Sequence, residues 1–226
     1  LVADQISWHS YTSDSQNSNL LQYSTPDSDI LLNLSSGQYA VATKAADTSL
    51  QRCLSESGIS NYADLSFFIT DSYFYAFCDD SFFASPLTDH VMGDFEQICT
   101  GIYPLTQVGD TIYCTEYRID SDNAYDFDTI DLYAVKDGGM YLVASMLYPN
   151  TLDIYADGVM TAWGEGTYGP VWGRAKEGTS SLPDALYLPT YLGEERFLYE
   201  TETALYFYNA RSAETVKLFD NPRWVW

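Results

Sequence analysis

The feature that most constrains the fold is a hairpin pattern in residues 129–148. The stretch "TIDLYAVKDGGMYLVASMLY" sets two apolar runs around residues 137–139, whose Asp-Gly-Gly supplies the positive φ values that a tight turn requires. The second run is apolar on both faces, which predicts a strand in the interior of its sheet. Further hairpins are predicted around residues 157–158 and, with a longer loop, around residues 209–213.

The composition also favours strands. The chain has 226 residues, 46% of them hydrophobic, with 20 Tyr and 11 Phe, and aromatic residues are enriched in strands. Hairpins joined by polar turns predict a mainly β fold, an antiparallel meander that forms a sandwich or a barrel-like domain with one short helix. A propeller-like or an α+β arrangement is the alternative, although the sequence has no fixed repeat period.

Two regions are predicted along the chain. Residues 1–29 are rich in Ser, Asn and Asp and lack an apolar period, which predicts an N-terminal linker or a segment draped over the domain. Residues 30–226 are predicted to form a single β-rich domain, since this length is sufficient to bury a sizeable core. Residues 67–83 are rich in aromatic residues and predict either a central core hairpin or an interface between subunits.

One short helix is predicted near residues 48–57. Thr48 followed by Gln51 matches a capping box, which places the N-cap at Thr48. Leu50, Cys53 and Leu54 then lie on one face, which is predicted to be buried. Gly58 follows at the position where a left-handed C-terminal residue belongs.

The charge of the chain excludes one class of partner. The formal net charge is −22, and the first 135 positions hold 20 acidic residues against three basic ones. Nucleic-acid binding depends on Lys and Arg that neutralise phosphates, so no nucleic-acid partner is predicted. The sequence lacks an apolar run of about 18 residues, so no direct membrane insertion is predicted. The expected partner is a protein, a glycan or further copies of the chain.

The cysteines suggest an oxidising compartment. The four are Cys53, Cys78, Cys99 and Cys114, without a C-x-x-C pair. A turn near residues 106–107 would bring Cys99 opposite Cys114, and Cys53 with Cys78 follows by elimination. The alternative is four buried thiols. Disulfides, together with a first residue other than Met, predict a secreted or cell-surface protein.

The segment "DSDNAYDFDTID", residues 120–131, is the candidate metal site. Asp120, Asp122, Asp126 and Asp128 alternate in a way that suits calcium, which prefers carboxylate and carbonyl oxygens. The segment is not an EF-hand, because Tyr125 occupies the position that requires Gly and the flanks are predicted strands. A solvated turn is the alternative. Ca²⁺ is the only cofactor considered.

The segment "WGEGTYGPVWG", residues 163–173, is the candidate ligand site. Trp163, Tyr168 and Trp172 lie among glycines, and Glu165 supplies a carboxylate. Exposed rings of this kind stack on sugars or anchor a partner protein. The alternative is that the glycines make turns and the tryptophans fill the core.

No catalytic residues are assigned. The two histidines, His9 and His90, are not accompanied by a G-x-S-x-G, H-E-x-x-H or P-loop motif. The predicted function is a non-enzymatic extracellular or cell-surface recognition module that binds a protein or a glycan through exposed aromatic residues. The alternatives are a structural subunit that assembles with itself through β edges and a secreted polysaccharide hydrolase.

Overall fold

In the computed structural model, the described residues are 20–60, 65–118, 129–147, 152–155, 157–164, 167–174, 178–182 and 189–220. They form twenty strands and one helix, which confirms the predicted mainly antiparallel β fold with a single helix. The chain divides into two compact units: unit 1 is Leu1–Cys114 with Val135–Met140, and unit 2 is Thr115–Ala134 with Tyr141–Trp226. Within the described part, no helix is long and apolar enough to cross a membrane.

The first sheet belongs to unit 1. Its strands are β1 (Leu20–Ser24), β2 (Ser28–Asn33), β3 (Tyr39–Thr43), β4 (Ser66–Ile69), β5 (Tyr73–Cys78), β6 (Ser81–Thr88), β7 (Val91–Met92) and β8 (Glu96–Thr100). The helix α1 (Lys44–Glu56) connects β3 to β4. The strand order is β1-β2-β3-β7-β6-β5-β4, with β8 paired to β6 and β7 parallel to β3.

Two further sheets follow. The strands of the second are β9 (Tyr103–Val108), β10 (Thr111–Arg118), β11 (Thr129–Lys136), β12 (Gly139–Leu147), β13 (Leu152–Tyr155), β14 (Gly158–Gly164), β15 (Thr167–Arg174) and β16 (Gly178–Ser181), in the order β16-β15-β14-β12-β11-β10-β9 with β13 beside β14. The third, in unit 2, is a meander of β17 (Thr190–Gly193), β18 (Arg196–Glu200), β19 (Ala204–Asn209) and β20 (Glu214–Asp220). The three predicted hairpins and the interior position of β12 are confirmed.

Several tight turns use acidic residues instead of glycine. Asp79 and Asp80, with φ of 45° and 64°, join β5 to β6. A two-residue hairpin loop of this type needs positive φ at both positions, and Asp tolerates it because its side chain bonds locally. Residues 89–90 (Asp-His) and 194–195 (Glu-Glu) have positive φ as well. Residues 67–83 therefore form a core hairpin arrangement that closes through an acidic turn.

The helix is bound to the core of unit 1 by its predicted apolar face. Leu50, Cys53 and Leu54 are buried, as predicted. The backbone N–H of Phe95 donates to Ser49 Oγ at 2.8 Å, and Cys53 Sγ donates to the Phe95 carbonyl at 3.1 Å. Since Ser49 and Cys53 are one helical turn apart, both bonds lie on the face that packs against the sheet.

The helix begins earlier than predicted. Its N-cap is Thr43, whose side chain accepts from the Ala46 N–H at 3.3 Å. Thr48 lies inside the helix and its hydroxyl donates to the Lys44 carbonyl at 2.8 Å. The prediction of Thr48 as N-cap is wrong, because a capping-box pattern does not exclude a second cap residue upstream. Gly58 has φ +77°, as its predicted C-terminal role requires.

All four cysteines, Cys53, Cys78, Cys99 and Cys114, are free thiols. Both predicted disulfides, 53–78 and 99–114, are therefore wrong. The predicted turn at residues 106–107 does not form, because β9 continues to Val108 and the chain turns at residues 109–110. β8 instead pairs with β6, and this places Cys99 opposite Phe82.

Most of residues 20–29, the last part of the predicted N-terminal segment, lies in strands. β1 and the start of β2 lie within residues 20–29 and pair with each other from Leu20 opposite Asn33. Of the side chains in β1, Leu20 is buried while Leu21 and Tyr23 are mostly exposed. Backbone pairing at a sheet edge holds this strand, so its sequence shows no apolar alternation.

The thiols provide a direct chemical test of the cysteine assignment. Burial raises the pKa of the Cys99 thiol to about 12 and also raises the pKa of Cys53 and Cys114. We expect four reactive thiols per chain after unfolding without reductant, and slow labelling of the native chain at neutral pH. Alkylation followed by mass spectrometry measures both. Two thiols or none in the unfolded, unreduced chain would show that disulfides form.

A matched pair of threonine variants tests where the helix begins. Thr43→Ala removes the cap and should lower the free energy of unfolding by about 1 kcal/mol. Thr48→Ala should change it by less than about 0.5 kcal/mol, because alanine is the better helix former at an interior position. Urea unfolding of both variants measures this. The reverse order of the two effects would restore Thr48 as the N-cap.

Candidate functional site

Several residues of the two predicted sites lie outside the described residues. These are Asp120, Asp122, Asp126 and Asp128 of the acidic segment and Glu165 of the aromatic segment. The calcium site therefore stays a prediction. In the part of the chain that the structure describes, no group of three or more His, Cys, Asp or Glu side chains is placed to hold a metal ion. Trp163 and Tyr168 lie opposite each other in β14 and β15.

Trp172, a predicted ligand-binding residue, is fully buried in unit 2. Its ring lies 4.8 Å from Phe197 in an edge contact and is stacked 6.0 Å from Tyr191, which in turn stacks on Tyr155 at 4.1 Å. A Cβ added to Gly158 would lie 2.3 Å from the indole, so only glycine allows this approach. The ring is thus part of the core and not an exposed platform for a ligand.

Two carboxylates beside this aromatic cluster, those of Asp157 and Glu195, are held by protein donors. Asp157 accepts from the Tyr191 hydroxyl at 2.5 Å and from the Glu195 backbone N–H at 2.9 Å. The buried Glu195 carboxylate contacts Arg174 Nη1 at 3.1 Å and Arg211 Nε at 3.5 Å. These bonds stabilise the strained turn at residues 194–195. Because the two carboxylates are occupied by protein donors, the cluster acts as a structural clasp of unit 2.

Tyr191 makes unit 2 less stable at alkaline pH. Burial first, and then the hydrogen bond and charge of Asp157, raises the pKa of Tyr191 to about 12, from an ordinary value of about 10. The neutral phenol therefore stabilises the fold fully below about pH 10, and this contribution is lost as the pH rises through 12. We expect Tyr191→Phe to lose less stability over this range than the unsubstituted chain.

Chemical unfolding between pH 9 and 12 measures this difference, with the exposed Tyr117→Phe as the control. Parallel declines in all three proteins would show that the Tyr191 hydroxyl is not coupled to folding.

Unit 1 holds an open cleft of about 570 Å³. It is lined by two edge strands of the first sheet, β1 and β4, by the loop after β2, and by β9, the edge strand of the second sheet. The apolar lining residues are Leu20, Phe67, Phe68, Pro104 and Leu105. Pockets for small ligands or single side chains occupy about 300 to 1,000 Å³, so the cleft has a suitable size.

The remaining lining is polar but uncharged. It consists of Asn33, Ser35, Ser36, Thr106 and Gln107, together with Gly109. Asn33 Oδ1 accepts from the N–H groups of Ser35 and Ser36 at 2.9 and 3.2 Å, which fixes the loop. Gln107 Nε2 donates to the carbonyls of Ile69 and Gly109 at 2.8 and 3.0 Å. The chain has 32 acidic residues, and none of them is among the described residues that line the cleft.

Two carboxylates lie close to the cleft residue Gly109. Gln38 Nε2 donates to Asp71 Oδ1 at 2.9 Å and to Asp110 Oδ1 at 3.2 Å, and the Asp71 N–H donates to Asp110 Oδ1 at 3.0 Å. Asp110 follows directly after Gly109, which lines the cleft. The cleft therefore has apolar walls and amide or hydroxyl groups, and two carboxylates lie outside its lining, next to Gly109. This chemistry suits recognition of a largely uncharged chain that carries a nearby cation.

Little in the sequence indicates this cleft, because its walls come from four separate segments of unit 1. One local signal was present in "GIYPLTQVGD". A proline within a predicted strand is confined mainly to sheet edges, and Pro104 lies in the edge strand β9. The alternation of Tyr103 and Leu105, both about half exposed, marks an outer face that the fold leaves uncovered.

No protein-family model matches the chain, and no curated protein matches it. Among solved structures, it is similar to the β-propeller domain of the Trilobed protease from Pyrococcus furiosus, with 9% identity over 89% of this chain and 81% of that chain and a TM-score of 0.36. It is also similar to the N-terminal domain of Nup159, with 13% identity over 92% of this chain and 59% of that chain and a TM-score of 0.34. Similarity at these TM-scores supports neither a closer fold assignment nor a function.

Proposed function

We propose that the chain is a non-enzymatic recognition module that binds an extended segment of a partner polypeptide in the cleft of unit 1. The observation that carries the proposal is the contrast between the uncharged, partly apolar cleft and the strongly acidic chain around it. Interfaces that bind proteins are depleted of charged residues at their centre and surrounded by a polar rim. The uncharged cleft has this kind of centre, and Asp71 and Asp110 lie beside it as part of a polar rim.

The charge of the chain indicates the chemistry of the partner. A net charge of −22 attracts basic proteins over long distances and accelerates their encounter. The linked residues Asp71 and Asp110 lie next to the cleft residue Gly109, and we expect a Lys or Arg of the bound segment to reach their carboxylates. We therefore expect the partner segment to be apolar or uncharged over most of its length, with a basic residue at one end.

The proposed site differs from the predicted one in the aromatic and apolar residues that contact the partner. Trp172 is buried, so the proposal moves from the aromatic segment to Tyr103 and Leu105 of β9, which are 49% and 52% exposed. A neutral glycan is the competing ligand, because amide and hydroxyl groups also bind sugars. An extracellular or cell-surface location remains part of the proposal, but it now rests on the acidic composition alone, since the cysteines are free.

Self-assembly through β edges remains the second candidate. β20 supports it, because every residue of this edge strand is exposed, including Leu218 and Phe219. Against it stand the charged residues Glu214, Lys217 and Asp220 within the strand, since charges on an edge discourage pairing between copies. The high net charge of each copy acts in the same direction.

Selection from a phage-displayed library of random peptides tests the proposed function. The full chain should enrich peptides that bind it saturably, and Leu105→Arg should weaken their binding by about tenfold or more, because it places a cation in the apolar wall. Leu218→Arg is the matched control, since both leucines are half exposed on edge strands. It should leave the affinity unchanged. Isothermal titration of the selected peptides measures all three proteins.

Three results would contradict the proposal. If no peptide is selected and a neutral oligosaccharide array shows binding that Leu105→Arg abolishes, the ligand is a glycan. Binding that Leu218→Arg abolishes and Leu105→Arg leaves intact would move the site to β20. Selection of no peptide and no glycan would remove the cleft as a recognition site.

A further inference from the structure

We infer that the partner segment binds by adding one β-strand to the outer edge of β9, inside the cleft. This inference rests on the proposed function and names the binding mode of the same site. Among the described strands, β9 is the last of its sheet, with β10 as its neighbour on the inner side. An edge strand presents a row of backbone donors and acceptors, and extended peptides bind such edges by main-chain hydrogen bonds.

The turn after β9 determines which backbone groups face outward. Gly109, with φ +57°, opens a two-residue turn between Val108, the last residue of β9, and Thr111, the first of β10. The residues that flank such a turn form a hydrogen-bonded pair, and the pairing then alternates along the strand. The backbone N–H and C=O of Leu105 and Gln107 therefore point away from β10, toward the position of an added strand.

Among the edges of the cleft, β9 is better suited to pairing than β4. The Ile69 carbonyl at the end of β4 already accepts from the Gln107 side chain, and Ile69 is fully buried. β9 is open by comparison, since Tyr103, Leu105 and Thr106 are exposed. Gln107 contacts β4 through its side chain, so this contact does not use the backbone N–H and C=O of Gln107.

β9 has a proline, Pro104, but no charged side chain, and both are devices that blunt native edge strands. Native edge strands are commonly blunted by charged side chains, especially Lys. β20 follows this rule with three charged residues in seven, whereas the six residues of β9 include none. An added strand would lie about 4.8 Å from β9. Its side chains would alternate between solvent and the cleft, whose opposite wall is formed by Phe67 and Phe68.

A methylation scan of the best selected peptide tests this binding mode. Each backbone amide of the peptide is N-methylated in turn, which removes one donor and leaves the side chain unchanged. Strand addition predicts losses of affinity of about tenfold at every second position and small losses between them, because only alternate amides face β9. Equal losses at all positions, or none, would overturn it.

Two substitutions of Leu105 test the same main-chain hydrogen bonds by changing β9 instead of the peptide. Leu105→Pro removes the outward N–H together with the side chain, and Leu105→Ala removes most of the side chain alone. Pro is tolerated where an edge N–H faces outward, so we expect Leu105→Pro to fold. It should bind the peptide about tenfold more weakly than Leu105→Ala. Circular dichroism and thermal unfolding verify the fold.

The outcomes separate the two proposals. Peptide binding that depends on Leu105 but shows no alternation in the methylation scan would overturn strand addition and leave the proposed function intact. Absence of any Leu105-dependent binding would overturn both. If Leu105→Pro does not fold, the methylation scan decides alone, since it uses the unsubstituted chain.

Discussion

A hydrogen bond to the buried Tyr75 hydroxyl joins the first sheet to the turn between β11 and β12. Tyr75, in the interior strand β5, is fully buried, and its hydroxyl accepts from the Gly138 N–H at 3.0 Å. Burial raises the pKa of Tyr75 to about 12, so the hydroxyl stays neutral throughout the physiological range. The turn that follows β11 packs so closely against Tyr73 that a Cβ on Gly138 would lie 2.7 Å from its ring. This contact explains why Val135–Met140 belongs to unit 1.

One wall of the cleft is supplied by the strand next to β5. β5 pairs with β4, and β4 supplies Phe67 and Phe68 to the wall of the cleft. The turn after β4 brings Asp71 to Asp110, at the turn after β9. The two units thus use their polar residues in different ways. In unit 2 the carboxylates of Asp157 and Glu195 are consumed by internal bonds, whereas unit 1 leaves amides and hydroxyls facing an open cleft.

Local patterns in the sequence predicted most of the fold. Hairpins with Asp-Gly turns and the apolar face of α1 depend on neighbours within a few residues, so they could be read directly. The strand β1 could not, because backbone pairing at an edge leaves no apolar pattern. The disulfides failed for a different reason. Their pairing depended on a turn at residues 106–107, and a shift of that turn to residues 109–110 changed the partner of β8.

The candidate site was harder to predict than the fold. Several glycines lie near Trp172 in the sequence, and they suggested an exposed loop. In the structure, Gly158 lets the buried indole pack against the backbone. The cleft is formed by residues far apart in sequence, including Asn33, Phe67 and Gln107, and only the fold brings them together. Pro104 indicates an edge strand, but the strand order is needed to show that β9 lies at the cleft.

Amide hydrogen exchange tests strand addition most directly. The backbone N–H groups of Leu105 and Gln107 point outward from β9, so they should exchange quickly in the free chain. Saturation with a selected peptide should slow both by about tenfold or more, with little change at Phe197 in the core of unit 2. Unchanged exchange at Leu105 and Gln107 in the peptide-saturated chain would contradict strand addition to β9.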